Sequence, residues 1–248
     1  MKTKQIIDAV RTRLFWMKYG VYFLHSSSFH IKRLNIAGHT VILSVPPGED
    51  NVMDYEFKNI LFDDCYGLAR IDGNVETIMD VGSNLGFFSL AARSRFPNSK
   101  IHSYEPNPKI QNHLLSNTGQ LSIQVHPEAI GVTAGFINLE AEAGSLFGKA
   151  VAAENGKIKM TAMSEALKRI GGSVDLLKLD CEGGEWPLLE SQDIWRHVKY
   201  LTMEYHLWAN PQLDVPGMVK TIRNHGFRIT HLDEAPELKW GILHATKV

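Results

Sequence analysis

The sequence has few cysteines, little net charge and no long hydrophobic run. Its 248 residues include two cysteines, Cys65 and Cys181, which are far apart and lack the spacing of metal ligands. This usage predicts a reduced, cytosolic setting. The formal net charge of −1 excludes a global attraction to nucleic acid or to an anionic membrane, and it leaves only a local patch open.

The N-terminal segment lacks the patterns of a cleaved leader and of a membrane span. Asp8 and the arginines after it interrupt any apolar leader core. The apolar stretch Leu14–Leu24 contains Lys18 and is too short to cross a bilayer. Apolar residues at helical spacing predict a helix over about residues 1–30 that packs on the main domain. Its aromatic residues leave open a peripheral membrane contact or a homodimer contact, so we expect a cytoplasmic protein with optional membrane association.

A hairpin and a second helix follow this segment. Residues 31–45 alternate enough to predict a β-hairpin that turns at Ala37–His39 and ends at Pro46-Pro47-Gly48. Residues 54–70 predict a helix that leads into the main sheet. We therefore expect a helical and hairpin extension over residues 1–72 and a main domain over residues 73–248.

From residue 77 onward, predicted strands and helices alternate, which implies a mostly parallel sheet with helices on both faces. The predicted strands cover 77–81, 100–105, 122–126, 174–180, 199–205, 226–232 and 238–246, and the predicted helices cover 86–95, 108–118, 163–170, 184–192 and 214–225. The connection through Asp233–Glu237 is short, so the last strand should be antiparallel. Residues 133–160 break the alternation and predict a short β excursion with a glycine-rich loop at 143–148.

A glycine-bearing loop between the first of these strands and the next helix is the most informative stretch. The segment Asp80–Leu90 has the order strand, turn, helix by which α/β proteins hold a nucleotide-like cofactor. Gly82 and Gly86 would let the backbone approach a ligand where a Cβ atom would collide. We therefore predict cofactor contacts from Asp80, Gly82, Asn84 and Gly86.

Acidic residues follow the next two strands. Glu105 lies 23 residues after Gly82 at the tip of a predicted strand. A carboxylate there can accept both hydroxyls of a ribose, and the alternative is a solvated acid at a strand end. Glu128 or the backbone of Ala129 could contact an adenine after the third strand, although a simple turn explains that segment nearly as well.

The strand that follows ends in a group of acidic residues. The apolar run Val174–Leu179 ends at Asp180, and Glu182 and Glu185 come shortly after it. In open α/β sheets ligands bind beyond the carboxyl ends of the strands. Lys178 is unusual in a strand covered on both faces, so we expect it to pair with one of these acids.

Four motifs match one family pattern in order and spacing: Asp80–Leu90, Tyr104-Glu105-Pro106, Gly144-Ser145-Leu146 and Leu177–Glu185. Through these motifs, residues 40–210 resemble the FkbM family of S-adenosylmethionine-dependent methyltransferases. The resemblance implies a Rossmann-like class I methyltransferase fold of the α/β class, S-adenosylmethionine as cofactor, and methyl transfer to a hydroxyl of a sugar, glycan, polyketide or related small molecule. The chain departs from the pattern at Gly184, where an alanine is commoner, and in a shortened serine stretch around Ser145.

Methyl transfer to an alcohol requires removal of the hydroxyl proton, so a base or a metal ion is expected. Glu204 and His206 share one face of the fifth strand and should reach the same edge as Asp180. We predict that His206 is the general base because imidazole titrates near neutral pH, with Asp180 orienting the hydroxyl or taking the proton if His206 points away. Glu204 is the third predicted catalytic residue, and Asp180 is also a predicted cofactor contact. Alternatively, Asp180, Glu204 and His206 hold a divalent metal such as Mg²⁺, or His206 is a hydrogen-bonded structural residue.

Three other functions remain alternatives. A nicotinamide-dependent oxidoreductase would need a third glycine where Phe87 stands. A nucleic-acid methyltransferase would need an Asn/Asp-Pro-Pro-aromatic turn after Leu179 and a dense basic run, and this chain has neither. A non-catalytic module could retain the fold, although the acidic residues and His206 argue against it.

Overall fold

The computed structural model describes residues 10, 11, 14, 15, 17–20, 33–140, 149–153, 155–235 and 239–248. The predicted helix over residues 1–30 lies largely outside the described residues, and so does the glycine-rich loop at 143–148. Of the predicted helix, the described residues 10, 11, 14, 15, 17 and 18 are helical. Phe15 packs on Tyr19 and Phe62 with ring centroids 5.0 Å apart in both pairs, whereas Val10, Leu14 and Met17 are exposed.

The main sheet has seven strands in the order β12-β13-β11-β10-β3-β4-β5. The strands are β3 (Thr77–Val81), β4 (Lys100–Tyr104), β5 (Ile123–His126), β10 (Val174–Leu179), β11 (Val198–His206), β12 (Phe227–Ala235) and β13 (Trp240–Lys247). Strand β13 pairs antiparallel with both β11 and β12, and the remaining neighbours are parallel. The predicted mostly parallel sheet with an antiparallel C-terminal strand is confirmed, and this strand order is that of a Rossmann-like class I methyltransferase fold.

Six helices of the described residues connect or cover these strands. They are α1 (Asp50–Phe57), α2 (Phe87–Arg95), α3 (Gln111–Thr118), α4 (Met163–Ile170), α5 (Glu185–Glu190) and α6 (Val215–Asn224). Helix α6 begins with a side-chain cap, because Asp214 accepts a hydrogen bond from the Gly217 amide at 2.8 Å. The five helices predicted after residue 77 are all present within three residues at each end.

The predicted helix over residues 54–70 is wrong in its second half. Helix α1 begins at Asp50, continues as a π-helical turn over Lys58–Phe62 and stops there. The Asp64 carboxylate accepts the amides of Leu68 and Ala69 at 2.8 and 2.9 Å. A short acidic side chain that bonds nearby amides competes with helix continuation, so the chain turns here instead.

A small second sheet follows β5. It contains β6 (Ala129–Gly131), β7 (Gly135–Glu140), β8 (Lys149–Ala152) and β9 (Ile158–Ala162) in the order β6-β9-β7-β8. The predicted β excursion over 133–160 is therefore confirmed for the described residues. The strand at Ala129 was not predicted, because its partner Met160 is distant in sequence.

The N-terminal hairpin packs into the core of the main domain. It consists of β1 (Arg33–Ile36) and β2 (His39–Ile42), which pair antiparallel. Leu34 and Phe57 share one buried apolar cluster with Ile78 and Phe88 of the sheet and its first helix. Upstream residues are thereby held against the carboxyl edge of the sheet. Within the described residues, no helix combines the length and apolar character needed to cross a membrane.

Candidate active site

Two adjoining cavities open at the carboxyl edge of the main sheet. Strands β3 and β10 are parallel neighbours, with Asp80 opposite Lys178, so their C-terminal loops meet. We name the two spaces the Glu105 cavity and the Tyr66 cavity, after a residue in the wall of each. Four residues line both: Gly82, Asn84, Asp180 and Glu182.

The Glu105 cavity is open to solvent, and its volume, including the space at its mouth, is about 720 Å³. Glu105 is buried, and its two oxygens accept the amides of Asn84 and Asn107, each at 2.8 Å. Burial raises the pKa of Glu105 to about 7, although these two hydrogen bonds act in the opposite direction. Each carboxylate oxygen keeps acceptor capacity for a further donor, so the residue fits the predicted contact with ribose hydroxyls.

Glu128 and Ala129 both line the Glu105 cavity. The Glu128 carboxylate is already engaged by Thr161, Arg169 and Lys159 at 2.5, 2.7 and 2.9 Å. Burial by itself would raise the pKa of Glu128, but these three donors outweigh it and lower the pKa to about 2. Because the Glu128 side chain is already occupied by these donors, Ala129 is the better candidate on this wall for the predicted contact with an adenine.

Two of the predicted cofactor residues lie outside the walls of both cavities. Asp80 is fully buried and accepts the Ser89 hydroxyl at 2.7 Å, so it lies beneath the cavities. A Cβ atom on Gly86 would lie 2.8 Å from Thr118 and 2.9 Å from Leu114, so this glycine allows α2 to approach α3. Both residues therefore have structural contacts of their own, and their predicted direct contacts with the cofactor stay predictions.

Gly82 lines both cavities, but a glycine is required at this position because of a contact within the protein, not with a ligand. Its φ angle is +76°, and a Cβ atom there would lie 1.6 Å from the carbonyl oxygen of Asp180. The close approach that the sequence suggested is therefore an approach of the β3 loop to the tip of β10. The Asp180 side chain is thereby brought to the boundary between the cavities.

A buried lysine connects the two strand tips. The Lys178 Nζ atom lies 3.4 Å from Asp80 Oδ1 and 3.3 Å from Asp180 Oδ2, and its side chain is 3% exposed. The predicted pairing of Lys178 with an adjacent acid is confirmed, with Asp80 as a second partner. Burial opposes the charge of Lys178, but Asp180 and Asp80 outweigh burial and raise its pKa.

The Tyr66 cavity is lined mainly by acidic and aromatic residues. Its walls comprise Glu56, Ile60, Tyr66, Gly82, Ser83, Asn84, Leu85, Phe87, Phe88, Lys178, Asp180, Glu182 and Glu204. Tyr66 donates a hydrogen bond to Asp180 at 2.9 Å and a longer one to Glu204 at 3.4 Å. Burial and the carboxylates of Asp180 and Glu204 raise the pKa of Glu56 to about 7. The cavity therefore concentrates negative charge next to Asp180.

His206, the predicted general base, lies among acidic side chains that favour its protonated form. Its Nδ1 lies 2.9 Å from Glu185 Oε1, and Glu185 is fully buried. Burial alone would lower the pKa of His206, but contacts with Glu185 and Glu204 outweigh it and raise the pKa to about 11. A raised pKa favours the protonated imidazole at neutral pH, and a protonated imidazole cannot accept a further proton. The assignment of His206 as the general base stays a prediction.

The structure brings together three side chains that could ligate a metal, and this set differs from the predicted one in a single residue. Asp180, Glu182 and His206 each offer a ligand atom, and these atoms lie within 4.8 Å of one another. The sequence predicted Glu204 in place of Glu182. Glu204 does lie near His206, with Oε1 3.6 Å from Nε2. The prediction that Glu204 and His206 of β11 lie at the same edge as Asp180 is therefore confirmed.

Sequence reasoning missed Glu56 and Tyr66 as site residues. Both precede the main sheet and are brought to its edge by long-range packing, so no local pattern marks them. Glu182 and Glu185 had a signal, since they belong to the acidic string after Leu179. Glu182 has a positive φ of +52°, an uncommon backbone conformation for a glutamate.

Curated relatives of the chain include two methyltransferases. Methyltransferase sdnD of Sordaria araneosa is 28% identical over 215 residues, covering 70% of this chain and 82% of the relative. The 31-O-demethyl-FK506 methyltransferase FkbM of Streptomyces tacrolimicus is 22% identical over 247 residues, covering 80% of this chain and 90% of the relative.

A solved structure that resembles the chain is magnesium protoporphyrin IX methyltransferase (ChlM) from Synechocystis PCC 6803 with bound SAM. It is 14% identical, and the match covers 83% of this chain and 86% of that chain with a TM-score of 0.46. A similarity of this extent says nothing about what the present chain binds.

The family comparison covers the site itself. The model of the methyltransferase FkbM domain matches residues 80–229, more than half of the 248 residues. The matched region contains Glu105, Asp180, Glu204 and His206. The chain therefore belongs to the FkbM family of S-adenosylmethionine-dependent methyltransferases.

Proposed function

We propose that this chain transfers a methyl group from S-adenosylmethionine to a hydroxyl group of a sugar, a glycan or a related small molecule. The observation that supports this most directly is the junction of the two cavities, which share Gly82, Asn84, Asp180 and Glu182 in their walls. A donor in one cavity and an acceptor in the other would meet beside Asp180. The name of the Streptomyces tacrolimicus relative, a 31-O-demethyl-FK506 methyltransferase, supports oxygen as the accepting atom.

The cofactor would occupy the Glu105 cavity. Glu105 would accept the ribose hydroxyls, and the walls at Asn84 and Ala129 would hold the amino-acid and adenine ends. When bound there, S-adenosylmethionine supplies a methyl group that is activated by the positive sulfonium. The loop after β3 lies close to the tip of β10, because Gly82 approaches the Asp180 backbone, so a methyl donor held by that loop would lie beside Asp180.

Asp180 is the residue that we assign to the acceptor proton. When S-adenosylmethionine is bound, its carbon–sulfur bond would break as the acceptor oxygen bonds to the methyl carbon, with the electron pair left on sulfur. The hydroxyl proton passes to an Asp180 carboxylate oxygen. Tyr66 and Lys178 hold that carboxylate in place through their contacts at 2.9 and 3.3 Å. Alignment by these contacts would provide a large part of the rate enhancement, whether or not a cation such as Mg²⁺ assists.

His206 and Glu204 act in this proposal on the acceptor side. Protonated His206 lies 3.6 Å from both Glu182 Oε2 and Glu204 Oε1. It therefore keeps the two carboxylates next to each other at the entrance to the Tyr66 cavity. Glu204 also receives the long hydrogen bond from Tyr66, and its carboxylate would accept a second hydroxyl of the acceptor.

The deciding experiment is a screen of S-adenosylmethionine consumption against a panel of glycans and small hydroxylated molecules. Each reaction is run with magnesium and with a chelator, and products are examined by mass spectrometry for one added methylene. We expect methyl ethers from the wild-type chain, and a loss of about 10²–10⁴-fold in kcat for Asp180→Asn with unchanged S-adenosylhomocysteine affinity. Methylation on nitrogen or carbon, or an Asp180→Asn variant with the full rate, would overturn the proposal.

A further inference from the structure

Three side chains at the junction of the cavities are arranged as a ligand set. Asp180 follows β10, Glu182 follows it in the same loop, and His206 ends β11. Their nearest ligand atoms lie within 4.8 Å of one another. One imidazole nitrogen with two carboxylates is a donor set that suits Mn²⁺, Zn²⁺ and related divalent cations. The set joins neighbouring strands, so the fold holds its members in a fixed relation.

A buried carboxylate fixes the direction of the imidazole. Glu185 is fully buried, and its Oε1 accepts both the His206 backbone amide at 3.0 Å and Nδ1 at 2.9 Å. Metal-ligating histidines are typically oriented in this way by a carboxylate behind the ring. The Nε2 atom is thereby turned toward Glu182 and Glu204, 3.6 Å away in each case. These separations exceed hydrogen-bond length, although the histidine side chain is only 5% exposed.

The charges around this point are unbalanced. Six carboxylates surround the junction, namely Glu56, Asp80, Asp180, Glu182, Glu185 and Glu204. Among the described residues in these contacts, the cations are Lys178, which already contacts Asp80 and Asp180, and His206 when it is protonated. The nearly buried hydroxyl of Ser83, which is 3% exposed, lines the Tyr66 cavity without a hydrogen-bond partner among the described residues. A bound cation with its water ligands would offset the charge and satisfy this hydroxyl.

We propose that Asp180, Glu182 and His206 bind one divalent cation, with Glu185 as the residue that positions the histidine. The cation takes the place of the proton on Nε2. The inference rests on the proposed function for its purpose, because a cation there would polarise the acceptor hydroxyl and ease transfer of its proton to Asp180. The binding itself does not depend on cofactor or acceptor.

The test is a titration of Mn²⁺ into the metal-free, full-length chain, without cofactor or acceptor. Calorimetry should show one saturable site, and Glu182→Gln should weaken it at least tenfold. Glu56→Gln is the matched control, because it removes a carboxylate from the same cavity but not from the ligand set. We expect this control to weaken Mn²⁺ binding less than Glu182→Gln does, because Glu56 contributes charge to the cavity but no ligand atom.

A spectroscopic measurement on the wild-type chain tests the cation site even if a variant does not fold. Pulsed electron paramagnetic resonance of bound Mn²⁺ should show coupling to an imidazole nitrogen, and His206→Gln should abolish that coupling. Absence of saturable binding, absence of nitrogen coupling, or equal losses in Glu182→Gln and Glu56→Gln would each overturn the cation site. Methyl ether formation at the full rate in the metal-free chain would overturn its catalytic purpose while leaving the proposed function intact.

Discussion

Tyr66 donates its hydroxyl hydrogen to Asp180 at 2.9 Å across a separation of 114 residues in sequence. The tyrosine follows the π-helical turn of the extension, and the aspartate follows the central strand of the sheet. One hydrogen bond therefore connects the upstream segment to the residue that we assign to proton transfer. Because Tyr66 is buried, the bond is protected from competing water and should be stronger than a surface hydrogen bond.

Tyr66→Phe should therefore lower kcat by about tenfold, the value of one hydrogen bond to a charged group. Asp180 would lose the donor that orients it, while the Glu105 cavity would remain intact. S-adenosylhomocysteine affinity, measured by calorimetry, should stay within about twofold of wild type. Tyr55→Phe, on an exposed position of α1, is the control and should change neither quantity. Equal losses in kcat and in cofactor affinity would show that Tyr66 supports the whole fold instead.

Cofactor binding should depend on pH through Glu105. Its pKa of about 7 means that the side chain is mostly neutral at pH 6 and mostly ionised at pH 8. The ionised form is the better acceptor of ribose hydroxyls, so affinity should rise as pH rises through 7. Adenosine is a suitable probe, because it carries the ribose and has no group that titrates in this range. We expect binding about tenfold weaker at pH 6 than at pH 8.

Glu105→Gln keeps the shape of the residue and removes its titration. The variant should bind adenosine more weakly at pH 8 and show a flat pH profile between pH 6 and pH 8. If the variant keeps the wild-type pH dependence, another group controls binding and the ribose role of Glu105 is wrong.

Lys178→Met should destabilise the chain by about 3–5 kcal/mol, because it leaves the buried carboxylates of Asp80 and Asp180 without their shared cation. Urea denaturation would measure the free energy of unfolding. Lys58→Met is the comparison, since Lys58 pairs with Asp63 on the surface at 60% and 42% side-chain exposure. Its loss should cost less than about 1 kcal/mol. Similar costs for the two variants would contradict the interpretation of Lys178 as a buried electrostatic connection.

Gly82→Ala and Gly38→Ala separate backbone strain from steric overlap. Both glycines have positive φ angles, +76° and +85°, so both substitutions incur about 1–2 kcal/mol of strain. A Cβ atom on Gly38 meets nothing within 4 Å, whereas one on Gly82 would overlap the Asp180 carbonyl at 1.6 Å. Gly82→Ala should therefore be far less stable in urea and should lose S-adenosylhomocysteine binding. Equal stability of the two variants would show that the β3 loop can move away from β10.

The main sheet could be predicted from the sequence because strand and helix patterns alternate from residue 77 onward, and because the apolar run of β10 ends at Asp180. The helix over residues 54–70 could not be placed correctly, since the hydrogen bonds that Asp64 accepts from nearby amides have no apolar signature. The raised pKa of His206 could not be predicted from neighbouring residues in the sequence either. It depends on Glu185, which lies 21 positions away and is buried against the ring only after β11 and α5 have packed together.

The walls of the Glu105 cavity were more predictable than those of the Tyr66 cavity for a similar reason. The Glu105 cavity is built mostly from loops that directly follow strands, so spacing along the chain indicates its walls. The Tyr66 cavity also needs side chains from the extension, and their position depends on packing between Phe57, Phe88 and the hairpin. Sequence spacing contains no information on that packing.

Glu56, Ile60 and Tyr66 line the Tyr66 cavity, yet all three precede the region that matches the family model, which begins at residue 80. Part of the wall that would discriminate between acceptors thus comes from a different segment of the chain than the wall that would hold the methyl donor. Substitutions in that short upstream stretch would reshape the acceptor side of the site and leave the walls of the Glu105 cavity unchanged.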